Sequence, residues 1–433
     1  MKKVLFISYY WPPSGGSGVQ RTLKFVKYLP EFGWEPIVFT AKDGEMPEKD
    51  ESLLKEVSPS LTVIHKGIFE PYSFYKFFVG KSQREKINPN FFTQKNKGWK
   101  DKLAIWIRSN FFIPDARMWW IRPSVTFLTK YVKEKGIDVI ISTGPPHSMH
   151  MIAYGVKRDT GIPWLADFRD PWTNIDFYKE LSLTKWADQK HRKLEKLVLD
   201  SADEVVMAGY TWSEELAGIG RRNIVPLLNG FDPEDFVSTE NVMLDDKFTI
   251  VHLGMFSKGR NHEILWKALR ELSDEVSGFS NDLSFRLYGK YDVSAIEYME
   301  KYGLKNNTIF HAYVSHAEIV KVQASSRVLY LSVNNTPNVK GIMTGKVFEY
   351  MAVKRPILCI GPLDGDAAKI VLEAKAGYVS GFDDLESLKS NIRLLYQDFK
   401  AGISFPGGVG VDQYSRKAIT AKLAKLLNGI VKT

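Results

Sequence analysis

The sequence predicts an α/β protein built from two doubly wound domains, each a parallel sheet with helices on both faces. Three observations predict this. Short apolar runs alternate with segments of helical period in two successive series, within residues 4–228 and 248–380, which is the pattern of repeated βα units. A polar stretch at 234–247 separates the series and reads as a linker. A glycine-containing loop follows the first strand of each series, Pro12-Pro-Ser-Gly-Gly-Ser-Gly18 in one and Gly254-Met-Phe-Ser-Lys-Gly-Arg260 in the other. In open sheets of this kind ligands bind beyond the carboxyl ends of the strands, so two such edges that face each other would enclose a cleft.

Composition agrees. At 433 residues the chain calls for about two to three domains, and 44% apolar with 25% charged residues is ordinary for globular cores. One cysteine, Cys359, excludes a disulfide framework and suits a reducing compartment. The apolar run after Met1-Lys-Lys is too short for a signal peptide and reads as a buried first strand; no run approaches the ~18 apolar residues of a membrane span. With 59 basic against 50 acidic residues the net charge is +9, which favours anionic partners such as phosphorylated small molecules or an anionic lipid surface. Nucleic-acid motifs are missing, and nucleic acid ranks last.

In the first series Val4–Ser8 is a strand, and Val19–Phe32 a helix with Leu23, Val26 and Leu29 on one face. Gly33-Trp-Glu-Pro36 breaks it before the strand Ile37–Thr40. Residues 65–125 interrupt the alternation with aromatics, Phe74 to Trp120, among lysines and arginines. That mixture suits the interfacial zone of an anionic membrane, or an insertion packed on its own domain. Alternation resumes with strands at 137–142, 164–168, 202–208 and 224–228, joined by helices at 148–159, 183–200 and 211–218. The second series places strands at 248–253, 283–288, 308–311, 328–333, 357–360 and 377–380. An amphipathic helix, Ser415–Ile430, closes the chain.

Several side-chain sets fall at strand ends. Gly15 and Gly16 let backbone N–H groups approach a phosphate or sugar, or form a simple turn; the Gly-x-Gly-x-x-Gly and P-loop spacings are missing. His147 and His150 follow Gly144-Pro-Pro and are suited to hydrogen-bonding a sugar hydroxyl or to proton transfer, or lie at a helix end. Asp167, Arg169 and Asp170, with Trp172 beside them, combine hydroxyl acceptors with a stacking plane; the alternative is an internal salt bridge of Arg169 with either aspartate. Gly254, Lys258 and Arg260 suit a diphosphate. Thr344-Gly345-Lys346 opens a helix where a phosphate fits, and Glu349, one turn on, suits a pair of ribose hydroxyls; the plain alternative is a surface Lys-Glu pair. Metal-ligand spacing and a Gly-x-Ser-x-Gly elbow are lacking.

Five stretches in this order, Tyr9-Tyr-Trp-Pro-Pro-Ser-Gly-Gly16, Asp167-Phe-Arg-Asp-Pro-Trp172, Asn229-Gly-Phe-Asp232, Gly254–Leu269 and Gly341–Pro356, resemble the family-4 glycosyltransferases of the GT-B fold over nearly the whole chain. Pro145-Pro146 with Asp167-Phe-Arg-Asp170 is similar to the branch that builds cell-surface polysaccharide. The resemblance implies two Rossmann-like domains facing across a cleft: 1–236 on the acceptor side with the insertion at about 65–125, 247–410 for the nucleotide-sugar donor, and 411–433 a helix returning to the first domain. It implies transfer of a sugar from a nucleotide-diphosphate donor with retention of configuration, with no cofactor and no metal, to a saccharide or lipid-linked acceptor. His147, Asp170, Arg260 and Lys346 would then serve catalysis. Gly15, Gly16, Gly254, Lys258, Arg260, Thr344, Gly345, Lys346 and Glu349 would hold the donor, and Asp167, Arg169 and Trp172 would meet the acceptor. Two family positions differ: Met255 stands where an arginine is expected, and Gly341 where a first glutamate would contact the donor sugar. A sugar-nucleotide epimerase and a non-catalytic nucleotide-sugar-binding protein are the rival readings. The implied home is the cytoplasm, with a peripheral place at the inner face of the cell membrane as a second option.

Overall fold

The computed structural model describes residues 1–46, 49–69, 99–175, 177–220, 223–239, 242–312, 314 and 316–431. The chain divides into two compact units, Met1–Leu228 with Lys417–Thr433, and Asn229–Arg416.

The first unit holds a parallel sheet of seven strands: β1 (Lys2–Ile7), β2 (Trp34–Ala41), β3 (Thr62–Lys66), β4 (Val139–Gly144), β5 (Trp164–Phe168), β6 (Glu204–Met207) and β7 (Val225–Pro226), in spatial order 3-2-1-4-5-6-7. Side chains alternate across a strand, so a central strand covered on both faces must be apolar throughout. β1 does this: Leu5 and Ile7 enter one core with Phe39 and Trp164, while Val4 and Phe6 enter another. The closing helix, Arg416–Ile430, brings Ile419, Leu423 and Leu427 into that second core and so belongs to the first unit's packing.

β3 was not anticipated. As the edge strand it is exposed or half-buried throughout and has no apolar run to announce it. The helices Trp99–Phe111 and Met118–Lys135 fall in the same region. Trp120 is buried and stacks on Phe39 at 5.0 Å, which is the packing alternative for that residue; Phe111 and Trp119 are exposed. The aromatics and lysines at 74–97 lie outside the described residues.

The second unit has six parallel strands: β8 (Phe248–Leu253), β9 (Leu283–Tyr288), β10 (Thr308–His311), β11 (Val328–Ser332), β12 (Ile357–Ile360) and β13 (Gly377–Ser380), in order 10-9-8-11-12-13. Polar residues at 234–247 are not free linker. Phe236 is buried in the short helix Pro233–Thr239, the Asp245 N–H donates to the Ser325 carbonyl (2.8 Å), and Arg286 pairs with Asp245 at 3.1 Å. Backbone and side-chain bonds tie this polar stretch down where composition alone suggested a loop.

Each sheet reverses its order once, at β1/β4 and at β8/β11. Diverging loops leave a crevice at such a point. The loops after β1 and β4 carry Gly15, Gly16 and His147; those after β8 and β11 carry Gly254, Arg260 and Thr344, with Lys346 opening the helix that follows.

Candidate active site

At the first unit's switch point most of the expected polar groups are bound to one another. Asp167, near the end of β5, is buried and accepts from the Arg21 Nη2 and Nε (2.8 and 3.2 Å) and from the Thr143 hydroxyl (2.9 Å). Burial alone would raise its pKa, but the charge and hydrogen bonds of Arg21 prevail and hold the carboxyl below its usual range. Arg21 also donates to the carbonyls of Leu227 and Leu228 (2.8 and 2.9 Å). The expectation of Asp167 as an acceptor for substrate hydroxyls is thereby corrected: an internal ion pair occupies both its oxygens, and the partner is Arg21 rather than Arg169.

Arg169 bonds the carbonyls of Gly144 and Pro145 instead. A Cβ on Gly18 would fall 1.7 Å from its Nη1, so glycine at 18 is what lets the guanidinium lie against the first turn of the helix Ser17–Tyr28. Asp170, half-buried, acts electrostatically on Arg169. Trp172 is not an open stacking plane. It is buried, His147 covers its ring in parallel at 4.3 Å and 2°, and its indole N–H donates to His191 Nδ1 at 3.1 Å.

His147 is in place at the end of β4, with Nδ1 buried and lacking a partner among the described residues. Burial holds its pKa well below the ordinary value, so the ring is neutral. His150 is fully buried. The Trp164 indole N–H donates to Ser142 Oγ (2.8 Å), and the Ser142 hydroxyl shares a hydrogen bond with His150 Nδ1 (2.8 Å). Burial lowers this histidine to about 3. Gly15 is half-buried and Gly16 exposed, the latter at φ 102°, a conformation that favours glycine.

At the second switch point the polar groups are less committed. β8 is followed by Gly254, whose φ of 91° turns the chain; a Cβ there would lie 3.1 Å from the Lys346 Nζ, so the amine sits over bare backbone. Lys346 begins the short helix Lys346–Ala352. It forms no ion pair among the described residues, and burial, with Arg260 adding repulsion against a smaller pull from Glu349, lowers it to about 7. Arg260 is half-buried, donates to the Met255 carbonyl at 3.3 Å, and is lowered by burial. Lys258 is exposed, as is Gly345. Thr344 Oγ1 is buried without a partner among the described residues, and burial pushes the Tyr350 hydroxyl's pKa up. Glu349 accepts from Gln323 Nε2 at 3.0 Å. The helix start differs from expectation in one respect: the N–H groups of Val347 and Phe348 are bound to the carbonyls of Thr344 and Gly345 (both 3.2 Å), so the side chains carry more of the site than the helix amides do.

Arg21, Tyr350 and Gln323 were not read as site residues. Arg21 lies one turn past the glycine loop on the face that meets the strand ends, and Tyr350 follows Glu349 directly; Gln323 has no signal in its neighbourhood. Among the described residues no group of acidic, histidine or cysteine side chains could hold a metal ion.

Two parallel-sheet Rossmann-like units with these switch points define the GT-B fold, the architecture of a large class of glycosyltransferases. Residues 235–401 match the family described as Glycosyl transferases group 1, which supports a glycosyltransferase. Solved structures agree on the fold at low identity. A glycosyltransferase from Rickettsia africae is 14% identical with a TM-score of 0.63, over 100% of this chain and 99% of that one. Sucrose-phosphate synthase from Thermosynechococcus elongatus gives 14% and 0.63, over 99% of both chains. Anabaena HepE in complex with UDP-glucose gives 14% and 0.61, over 99% and 100%. No curated protein matches the chain by sequence.

Proposed function

We propose that the protein is a retaining glycosyltransferase that moves a sugar from a nucleotide-diphosphate donor to a cell-surface polysaccharide or lipid-linked acceptor, without a metal or cofactor. The observation that carries this reading is the Lys346 amine, held over Gly254 beside Arg260 with no ion-pair partner among the described residues. A guanidinium beside an amine that an arriving anion would protonate matches a diphosphate, whose charge grows as the sugar leaves. In the reaction the acceptor hydroxyl oxygen bonds to the anomeric carbon on the face from which the diphosphate departs. The bond to the diphosphate oxygen breaks, and the hydroxyl proton passes to a phosphate oxygen. Arg260 and Lys346 stabilise the departing charge, Lys258, Thr344 and Gly345 border it, and Glu349 takes the ribose hydroxyls. His147, held neutral by burial, orients a sugar hydroxyl, with Asp170 and Arg169 near it in the first unit. The basic, aromatic region at 65–125 would meet a membrane surface or lipid-linked acceptor, with the enzyme in the cytoplasm, peripheral on the inner face of the cell membrane. No described helix is long and apolar enough to cross one.

The test is incubation with a panel of nucleotide sugars, UDP-glucose first because Anabaena HepE was solved with it, with and without acceptor lipid. Acceptor-dependent release of nucleoside diphosphate, with the anomeric configuration of the product read by NMR, supports retaining transfer. An isomerised sugar without acceptor supports the epimerase, and binding without product a sensor. Arg260→Ala and Lys346→Ala should each lower turnover about 100- to 1000-fold, the loss of about 2.7–4 kcal/mol of transition-state stabilisation, with the unfolding midpoint little changed. Unaltered turnover in both would refute the assignment.

A further inference from the structure

We propose that Gln323 is the positioning residue for Glu349, and that its amide holds the carboxylate in the arrangement that distinguishes a ribose from a 2′-deoxyribose. The inference rests on the donor-site reading of Glu349 given above.

Gln323 lies in the helix His316–Ser325 that precedes β11, and it is 1% exposed. Its Nε2 donates to Glu349 Oε2 at 3.0 Å, reaching across from one helix to another. Its own Oε1 is buried with no partner among the described residues. A buried amide oxygen left unbonded is costly, and methionine would fill nearly the same volume without that cost. Packing therefore does not account for an amide at this place; the bond made by Nε2 does.

The choice of donor matters as well. An arginine bound to Glu349 would engage the carboxylate oxygens bidentately and compete with ligand hydroxyls for them. A single amide N–H fixes one oxygen and leaves the charge intact. Glu349 is half-buried, and its Oε1 is neither hydrogen-bonded nor enclosed among the described residues, so it stays open to a ligand. A free glutamate side chain loses torsional freedom on binding. Gln323 removes that loss beforehand, which is preorganisation of the contact.

The experiment measures dissociation constants of UDP and GDP, and of their 2′-deoxy counterparts, by calorimetry for the unaltered protein, Gln323→Met and Gln323→Glu, with thermal midpoints alongside. The unaltered protein should prefer the ribonucleotide by about 10-fold or more, the usual worth of a hydrogen bond to a charged group. Gln323→Met should cut the preference to about 3-fold or less, leaving the 2′-deoxy affinity and thermal midpoint unchanged. Gln323→Glu, which replaces the amide donor by a second carboxylate against Glu349, should lose the preference at pH 8. An undiminished preference in Gln323→Met, or an equal loss of both affinities, overturns the positioning role. Binding with no ribose preference in the unaltered protein overturns the role of the Gln323–Glu349 pair alone. No binding of either nucleotide overturns the donor-site reading, and this role with it.

Discussion

Lys346 should gain a proton when a donor binds. In the free protein burial and the neighbouring Arg260 charge hold it near about 7, so at pH 8 only about one-tenth of the molecules carry the ammonium. A sugar nucleotide places a pyrophosphate, which does not itself titrate between pH 6 and 9, against this amine. An opposite charge at ~4 Å favours the protonated form, and binding at pH 8 should take up about 0.9 proton per site, while at pH 6 the uptake falls to about 0.1. Calorimetry at pH 8 in two buffers of different ionisation enthalpy reads the number directly. Lys346→Met should abolish the uptake. Arg260→Gln should reduce it, because the free amine is then partly protonated already. Stability follows with the opposite partner, the unfolded chain. The folded value lies below the ordinary lysine value of 10.5, so between pH 7 and 10 the unfolded state binds more protons. The contribution of this lysine to stability therefore rises with pH, by about 1.4 kcal/mol per unit at most. Urea titrations at pH 7, 8 and 9 should show that slope and lose it in Lys346→Met. Equal heats in both buffers at pH 8 would refute the reasoning outright.

Three further outcomes are expected. Arg21→Met strands the Asp167 carboxylate in the core and should cost about 3–5 kcal/mol, measured by urea unfolding at pH 7. Because the folded Asp167 value is lowered, the pair's stabilisation is present above the ordinary aspartate range and fades as the pH falls through the folded value, so the gap between the two proteins should narrow in acid. His147 and His150 are neutral well above their lowered values; kcat/KM should show no histidine limb between pH 6 and 7, and a fall in that range that disappears in His147→Gln would contradict the assignment. Cys359 is buried and its thiol is pushed up to about 12, so it should resist a thiol reagent at pH 8 until the second unit unfolds; labelling in native buffer at the rate of an exposed thiol would count against that core.

What could be read from the sequence tracks what periodicity encodes. Nine of the strands are central and announced themselves because such strands are covered on both faces, as Val4–Ile7 and Ile357–Ile360 are, and the edge strands β7, β10 and β13 were read from short apolar runs. Edge strand β3, exposed at Thr62 and His65, had no such signature. The residues at the switch points were legible because strand ends are countable, which placed Gly254, Arg260, Lys346, Glu349 and His147 correctly in order along the edges. Their partners were not legible. Arg21 meets Asp167 across 146 positions and Gln323 meets Glu349 across 26; neither separation leaves a mark on local pattern. Trp172 looked like a platform because tryptophan beside carboxylates often is one, yet its ring is covered by His147.

The two units use their polar residues in different ways, and the difference bears on which one handles the changing charge. In the first, Arg21, Asp167 and Thr143 are mutually satisfied, as are Ser142, Trp164 and one nitrogen of His150. Such closed networks rigidify a crevice and define its shape, but have little left to offer a ligand. In the second, Lys346 lacks an ion-pair partner among the described residues, Thr344 Oγ1 is unbonded there, and burial with the Arg260 charge disfavours the proton on Lys346. Groups held in that state are unfavourable until an anion arrives, and they respond most to a charge that grows during reaction. Substitutions in the first unit's network should therefore appear chiefly as lost stability, and those at Lys346 or Arg260 chiefly as lost turnover. A stability loss of several kcal/mol in Arg260→Ala, or a large drop in turnover with full stability in Arg21→Met, would reverse that division of labour.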